Sequence, residues 1–534
     1  MDKRTKTLVT AGLMIGLLVA ALDQTIVDTA FPRMIRDLHG EDIFTWVVTT
    51  YLLASTAIVP VVGKLADIYG RKIFYLLGMG LFIGGSMLCG QSQNMVQLIV
   101  FRGLQGIGGG MLMPIAFTIV GDVYPGEQRA KMQGLFGSVW GLAAVIGPKL
   151  GGWITNNYTW RYIFYINLPI GLAAGLLMFF FYRESRGMRR PIDWLGSVTV
   201  VAAITALLLG LEQGGNAWAW SSWQSIALLG GAGVLLLAFL FIETRVPEPV
   251  LDLKLFQNRT FAVMSIAGFI MGAGMFGAIF FVPWFIQGVV GVDPNQAGNV
   301  MTPTMLTMVV FSVVAGRLAL KVPYRYQMGA GFAIIAAGFW LMSGWTPQTT
   351  LLQATLSTMV VGVGLGLMMP ILTLAVQNAF PANRRGVVTS ATSFFRSMGS
   401  TVGITVFGII FNRQMSGQFT EKLAPTFAKA APLLAQLPPE AAKFFQQAQQ
   451  EPQLLVRILL TPEMQRAIPS ALRAPFIGGI KVMMSDSLHV VFWTGFAVVI
   501  VGLLAVQFLG NVSLKKQSLD LGGDVDTEMP LVAD

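Results

Sequence analysis

Apolar runs recur from one end of the chain to the other, each broken by a short polar turn. A run of about 20 residues spans the ~30 Å hydrocarbon core of a bilayer as a helix. The pattern predicts helices at 8–31, 45–64, 73–91, 97–120, 131–155, 161–182, 194–212, 223–243, 260–287, 297–320, 327–345, 351–379, 387–411 and 487–509. The first run follows Lys3, Arg4 and Lys6 as a signal peptide would. It continues to Pro32 and carries Asp23 and Asp28, so it reads as an uncleaved span. The expected class is an all-α polytopic membrane protein with 14 transmembrane helices.

Composition agrees: 54% of the 534 residues are hydrophobic and only 12% charged, where a soluble domain carries roughly 25%. The net charge of +10 suggests a nucleic-acid partner until it is placed on the spans. With the N-terminus inside, the inner connections and termini hold 22 Lys and Arg, against Arg33, Arg36 and Arg161 on the short outer connections. That asymmetry fits cytoplasmic termini. The segment 412–486 holds eight more, but long outer loops are largely exempt from the rule. Cys89 has no partner for an intrachain disulfide, and His39 and His489 form no metal cluster with it. No Gly-x-x-x-x-Gly-Lys-Ser/Thr loop is present, which disfavours an ATP-driven pump.

The chain repeats at an offset of 256. Met113-Pro114-Ile115 returns as Met369-Pro370-Ile371, and Gly106, Gly108, Gly110, Pro125, Arg129 and Gly147 meet Gly362, Gly364, Gly366, Pro381, Arg385 and Gly403. Both copies run in the same direction, as in parallel repeats about an axis normal to the membrane. The expected organisation is a six-helix bundle at 1–182, two inserted helices with linkers at 183–259, a second bundle at 260–510 containing the outer loop 412–486, and a cytoplasmic tail at 511–534, disordered from 515. Two like bundles around a central cavity suit alternating access.

Gly63-Lys64-Leu65-Ala66-Asp67-Ile68-Tyr69-Gly70-Arg71-Lys72 forms the turn between spans 2 and 3. Its glycines permit a tight reversal, and Asp67 is placed to pair with cations or cap the following helix. The string resembles the signature loop of the major facilitator superfamily, with Gly316-Arg317-Leu318 as a degenerate second copy. Leu22-Asp23-Gln24-Thr25-Ile26-Val27 with Pro32, Arg102-Gly103-Leu104-Gln105-Gly106, and Gly141 followed by Gly147-Pro148-Lys149-Leu150-Gly151-Gly152 are similar to motifs of its fourteen-span drug:proton antiporter branch. The resemblance implies a non-enzymatic exporter of lipophilic, often cationic, drugs or dyes, driven by the proton gradient without a cofactor. It implies proton coupling through Arg102, and Gly63, Asp67, Gly70, Arg71, Gly147, Pro148, Gly151 and Gly152 as the conformational motif. The expected setting is a bacterial-type cytoplasmic membrane, with a monomer meeting lipids, protons and a small-molecule substrate, and no nucleic acid.

A charge at membrane depth costs at least ~2.5–3.5 kcal/mol and needs a partner or a purpose. Asp23, Arg102 and Lys149 fall at similar depth in the outer half, where one acid and two bases could form a buried cluster. Asp23 is the expected proton carrier with Arg102 as its partner; a static ion pair holding spans 1 and 4 together is the alternative. Lys149 stands where the motif is usually apolar or small. Its ammonium could neutralise Asp23, snorkel outward or face an anionic substrate. If it holds down the affinity of Asp23 for protons, Lys149→Leu shifts the pH optimum of transport upward. Arg396 on span 13 is a second candidate for charge tuning, or binds neighbouring carbonyls. Gln24, Phe136, Trp140, Trp284 and Gln287 are candidates for the substrate cavity, since aromatics and amides make an adaptable wall. Within 412–486, the stretch 453–460 is apolar enough to lie against the bilayer or the cavity mouth. A lipid or glycolipid exporter of the same fold is the alternative function, and a non-transporting receptor or scaffold a more distant one.

Overall fold

The computed structural model describes residues 2–510 apart from 39–42, 45, 185–190, 216–217 and 293; of 426–469 it describes 427, 445–449, 452–460, 465 and 468. The expected disordered tail lies outside the described residues. Among the described residues, fourteen long helices follow one another: α1 (Lys3–Ile26), α2 (Trp46–Tyr69), α3 (Arg71–Gln91), α4 (Met95–Val123), α5 (Gly126–Asn157), α6 (Asn167–Phe181), α7 (Trp194–Gln213), α8 (Trp223–Glu243), α9 (Arg259–Ile279), α10 (Pro294–Leu318), α11 (Tyr324–Ser343), α12 (Leu351–Asn378), α13 (Arg385–Gln418) and α14 (Ser470–Gln507). Among the described residues, twelve helices are long and apolar enough to cross a membrane. Expected spans 5 and 9 correspond to α5, which packs along α1 and α10, and α9, which packs along α13.

The sequence repeat carries into the packing. Helices α4 and α12 begin at Met95 and Leu351, and α1 and α9 at Lys3 and Arg259, each pair at the same offset. In lipid no hydrophobic force drives helices together, so close contact rests on small residues. At Gly106 and Gly110 the α4 backbone lies so near the carbonyls of Tyr51 and Ser55 on α2 that a Cβ would not fit. The two halves meet along α5–α10 and α2–α13. The inserted helices α7 and α8 pack on each other, with α7 against both α2 and α13, beside one of these seams.

Several expected boundaries move. Span 1 ends as α-helix at Ile26, becomes a 3-10 turn over Val27–Ala30 and resumes at Phe31–Leu38. Span 9 breaks at Phe280 and Phe281 and continues as a π-helical turn over Phe285–Val290, closed by Gly291 at φ 87°. Helix α13 runs past the expected 411, and α14 starts at Ser470 rather than 487. At 34 and 38 residues both helices are longer than a bilayer core requires, and their adjoining ends carry a cap. Phe427 and Phe445 pack against each other and against Phe476 of α14, and Phe427 also meets Phe419. Val456, Ile458 and Leu459 are buried, on a short helix that packs against α14 and the π-helical turn. The apolar stretch near 453–460 therefore lies on protein rather than lipid, because the extended helices offer an apolar flank that water would otherwise cover.

Candidate functional site

The apolar character of α1 makes Asp23 costly unless donors surround it, and they do. Asp23 and Arg102 are 0% and 1% exposed. Arg102 Nη1 donates to Asp23 Oδ2 at 2.5 Å and to Gln105 Oε1 at 2.8 Å. Gln105 Nε2 and Asn167 Nδ2 donate to Asp23 Oδ1 at 2.8 and 2.9 Å. Asn167 also reaches Ser86 Oγ at 3.0 Å, while Arg102 Nε donates to the Val47 carbonyl at 3.2 Å. The guanidinium lies 4.3 Å from the Tyr51 ring centroid. Thus α4 and α6 meet the carboxylate of α1, with α2 and α3 holding the donors from behind, and each partner of that group is an N–H donor, the arrangement suited to its ionised form.

Asp23 and Arg102 meet as the sequence suggests, but Lys149 does not join them. It is exposed on α5 in a stripe with Leu142, Ile146 and Trp153, on a different face from Gly147 and Gly151. The 3.6-residue period puts positions 142, 146, 149 and 153 on one side. Two amides, Gln105 and Asn167, take the place expected for the second base. Lys149→Leu should accordingly leave the pH optimum of transport where it is in the wild type. A vesicle pH profile displaced upward would restore the buried three-charge cluster.

Glycines of the α5 motif set how near α5 comes to α1. A Cβ at Gly147 would collide with Thr25, and one at Gly151 with Thr29 and Ile26, directly beside Asp23. Pro148 is exposed, and Gly152 faces open space, so this pair makes no such contact.

The turn motif joins the halves. Gly70 adopts φ 109°, and Gly63 lies against Ser390 and the Gly386 carbonyl of α13. Asp67 accepts from Arg71 Nη2 at 2.8 Å and from the backbone N–H groups of Gly386 and Val387 at 3.2 and 2.9 Å. It caps α13 in the opposite half rather than the helix that follows it. Glu184 caps that following helix, accepting from the N–H of Arg71 and Lys72 at 2.8 and 2.9 Å. Arg71 also pairs with Asp122 and donates to the Ala382 carbonyl.

The repeat makes this closure reciprocal. Arg129 donates to Asn378 Oδ1 at 2.6 Å; its mate Arg385 lies 3.6 Å from Asp122, the mate of Asn378, and donates to the Gly121 carbonyl at 3.1 Å. Gln133 donates to Gln377 at 2.7 Å, and Gln377 to the Phe117 carbonyl at 3.0 Å. All these bonds lie at the end of the molecule that carries the turn motif, so the halves are closed there. A 640 Å³ cavity on this face is lined by Lys64, Asp67, Arg71, Asp122, Glu248 and Arg385 among others. Its charged walls make it part of the closure rather than a lipophilic site.

The candidates for the substrate cavity separate. Phe136 is buried and packs on Phe117 within the first half, so it belongs to the core. Trp140, one step around α5, is half-buried against Leu22, Ala143 and the core of the second half. Trp284 stacks with Phe280, Phe281 and Phe411, while Gln24 and Gln287 are half-buried. Arg396 is half-buried and, among the described residues, donates to no carbonyl; its Nη2 reaches Met113 Sδ of α4 at 3.6 Å. Sequence reasoning missed Gln105, Asn167, Asp122 and Glu184. Gln105 had a signal, standing three residues after Arg102 and so on the same helix face.

Residues 13–404 match the family described as Major Facilitator Superfamily. The chain is 42% identical over 523 residues to "Multidrug transporter protein MdtP" of Bacillus subtilis (strain 168), covering 96% of this chain and 95% of that one. It is 40% identical over 421 residues to "Multidrug resistance protein 3" of the same organism, covering 79% and 81%. Among solved structures, the human organic anion transporter MFSD10 (TETRAN) aligns with TM-score 0.56 at 13% identity, over 93% of this chain and all of that one. The proton:xylose symporter XylE aligns with TM-score 0.56 at 12% identity, over 77% and 90%. At such identities these two likenesses concern the fold alone.

Proposed function

This chain belongs to the Major Facilitator Superfamily, as a multi-pass membrane transporter and not an enzyme, and from that premise we propose that it is a proton-coupled antiporter. It exports lipophilic small molecules, cationic drugs and dyes among them, by alternating access of two six-helix halves. The names of its Bacillus subtilis relatives support the drug substrates. The observation that carries the coupling is the fully buried Asp23–Arg102 pair with its two amide donors.

Protonating Asp23 sets an O–H against three N–H donors as they are oriented here, and removes the charge that holds Arg102. The guanidinium keeps the Val47 carbonyl, Gln105 Oε1 and the Tyr51 ring as alternative partners. Such a cation–π contact is worth about 2 kcal/mol when desolvated. The ion pair can therefore open without leaving the cation wholly uncompensated. Loosening α1 from α4 next to the Gly147–Thr25 contact with α5 links protonation to the seam that must reopen.

On this reading both termini and the turn motif are cytoplasmic, and the described conformation is closed to the cytoplasm. Inside-out vesicles test function and orientation together. Acidifying the lumen should drive a cationic dye inward, with one coupled alkalinisation of the lumen that stops when the gradient is collapsed. Dye accumulation indifferent to the gradient would overturn proton exchange. A lipid exporter, the alternative, is favoured by Lys149 and the loop 412–486; Lys149 lies on the exposed stripe of α5 away from the seam.

A further inference from the structure

Charges within the spans are compensated unequally in the two halves. In the first half Asp23, Arg102 and Gln105 neutralise and satisfy one another. At the offset of 256 their mates in the second half are Ile279, Thr358 and Val361, so no such network exists there. Arg396 is nevertheless present on α13, 11 residues beyond the inner end at Arg385 and so roughly 16 Å into the membrane. Its mate is Trp140, which turns toward the partner half.

Among the described residues no carboxylate pairs with Arg396. A guanidinium has five N–H donors and stays charged at any physiological pH. Of these, one is engaged among the described residues, with the soft thioether of Met113 across the seam. Both residues lie at mid-depth, Met113 being 10 residues from the inner end of α4 at Val123. The side chain therefore leaves its own half and points into the space between α4 and α13. Its carbonyl side is closed, because the Arg396 backbone abuts Gly272 of α9 and its oxygen accepts from Ser400. A fixed cation with spare donors in a mostly apolar seam matches a ligand with an apolar body and one anionic group.

We propose that Arg396 forms an anion subsite on the seam between α4 and α13, so that the substrates of this transporter include lipophilic carboxylates. The inference deepens the exporter reading and rests on it for the transport step, while its test reads binding.

The purified full chain is titrated with naphthalene-1-acetate and with naphthalene-1-acetamide, which share the ring and differ in charge. Wild type should bind the acetate at least about tenfold more tightly than the amide, the range of one charge-assisted bond. Arg396→Gln should bring the ratio near one, and Arg396→Lys should retain part of it. Should Arg396→Gln not fold, Met113→Glu serves instead: it offers the guanidinium a carboxylate within the chain and should likewise erase the preference. A wild-type ratio near one, or a preference that survives Arg396→Gln and Met113→Glu, overturns the subsite. Dye efflux under a pH gradient is followed on the same wild-type preparation. Anion preference without proton-driven efflux sinks the coupling reading alone, and efflux without the preference sinks this subsite alone.

Discussion

Asp23→Asn should reduce proton-driven efflux to the level of protein-free vesicles and remove its dependence on external pH. An amide cannot take up a proton at any pH in this range, so no cycle of the network can carry one inward. The variant also leaves Arg102 buried without its counter-charge and turns an N–H₂ toward groups that are themselves donors. Removing one partner of a buried ion pair costs about 3–5 kcal/mol, so the single variant should be less stable. The double variant Asp23→Asn/Arg102→Gln removes the stranded cation. It should recover thermal stability without recovering proton transport, separating the chemical role from the structural one. Proton exchange at wild-type rate in the folded single or double variant would leave Asp23 as a static tie between α1 and α4. Substrate binding in the double variant should persist, since the walls of the seam are untouched.

Asp67→Ala should open the closed face. Asp67 holds Arg71 and two N–H groups at the start of α13, so its loss removes charged bonds that bridge the halves. Hydrogen bonds to a charged group contribute about 1.5–3 kcal/mol each, and two of them shift a two-state equilibrium by roughly 100-fold or more. Asp67→Asn can still accept one N–H and should give a smaller shift. Spin labels at the exposed positions Tyr69 and Asn383, one in each half, would read the separation of the inner ends. The native thiol Cys89 is buried and leaves the labelling clean. Unchanged distance distributions in Asp67→Ala would show that the remaining contacts, Arg129–Asn378 and Arg385–Asp122 among them, hold the face by themselves.

Both predictions rest on residues that stood out in the sequence, though their partners did not. The cost of ionised groups in hydrocarbon makes Asp23 and Arg102 conspicuous on any apolar run. An amide costs less and is commoner, so nothing marked Asn167 as the third helix's contribution to the same carboxylate. The ambiguity on α5 was one of rotation. Phe136 and Trp140 are four residues apart, yet one faces Phe117 in its own half and the other the opposite half. Lys149 has the depth of Asp23 but lies on the stripe of Leu142, Ile146 and Trp153.

Hydrophobic run length, the uneven Lys and Arg content of alternate connections and the 256-residue repeat determined the helical membrane class, the two like halves and the inserted pair, because the bilayer imposes thickness and charge cost on each span separately. Those are one-dimensional constraints. Which face of each helix turns inward, which distant backbone Asp67 caps across 319 positions of chain, and how α13 and α14 extend to carry the outer cap depended on packing. Helix ends have unsatisfied N–H and C=O groups that accept any suitably placed partner, and small residues let many helix pairs approach. Local sequence leaves those choices degenerate, and only the assembled bundle, in which each buried polar group must find a donor or acceptor, selects among them.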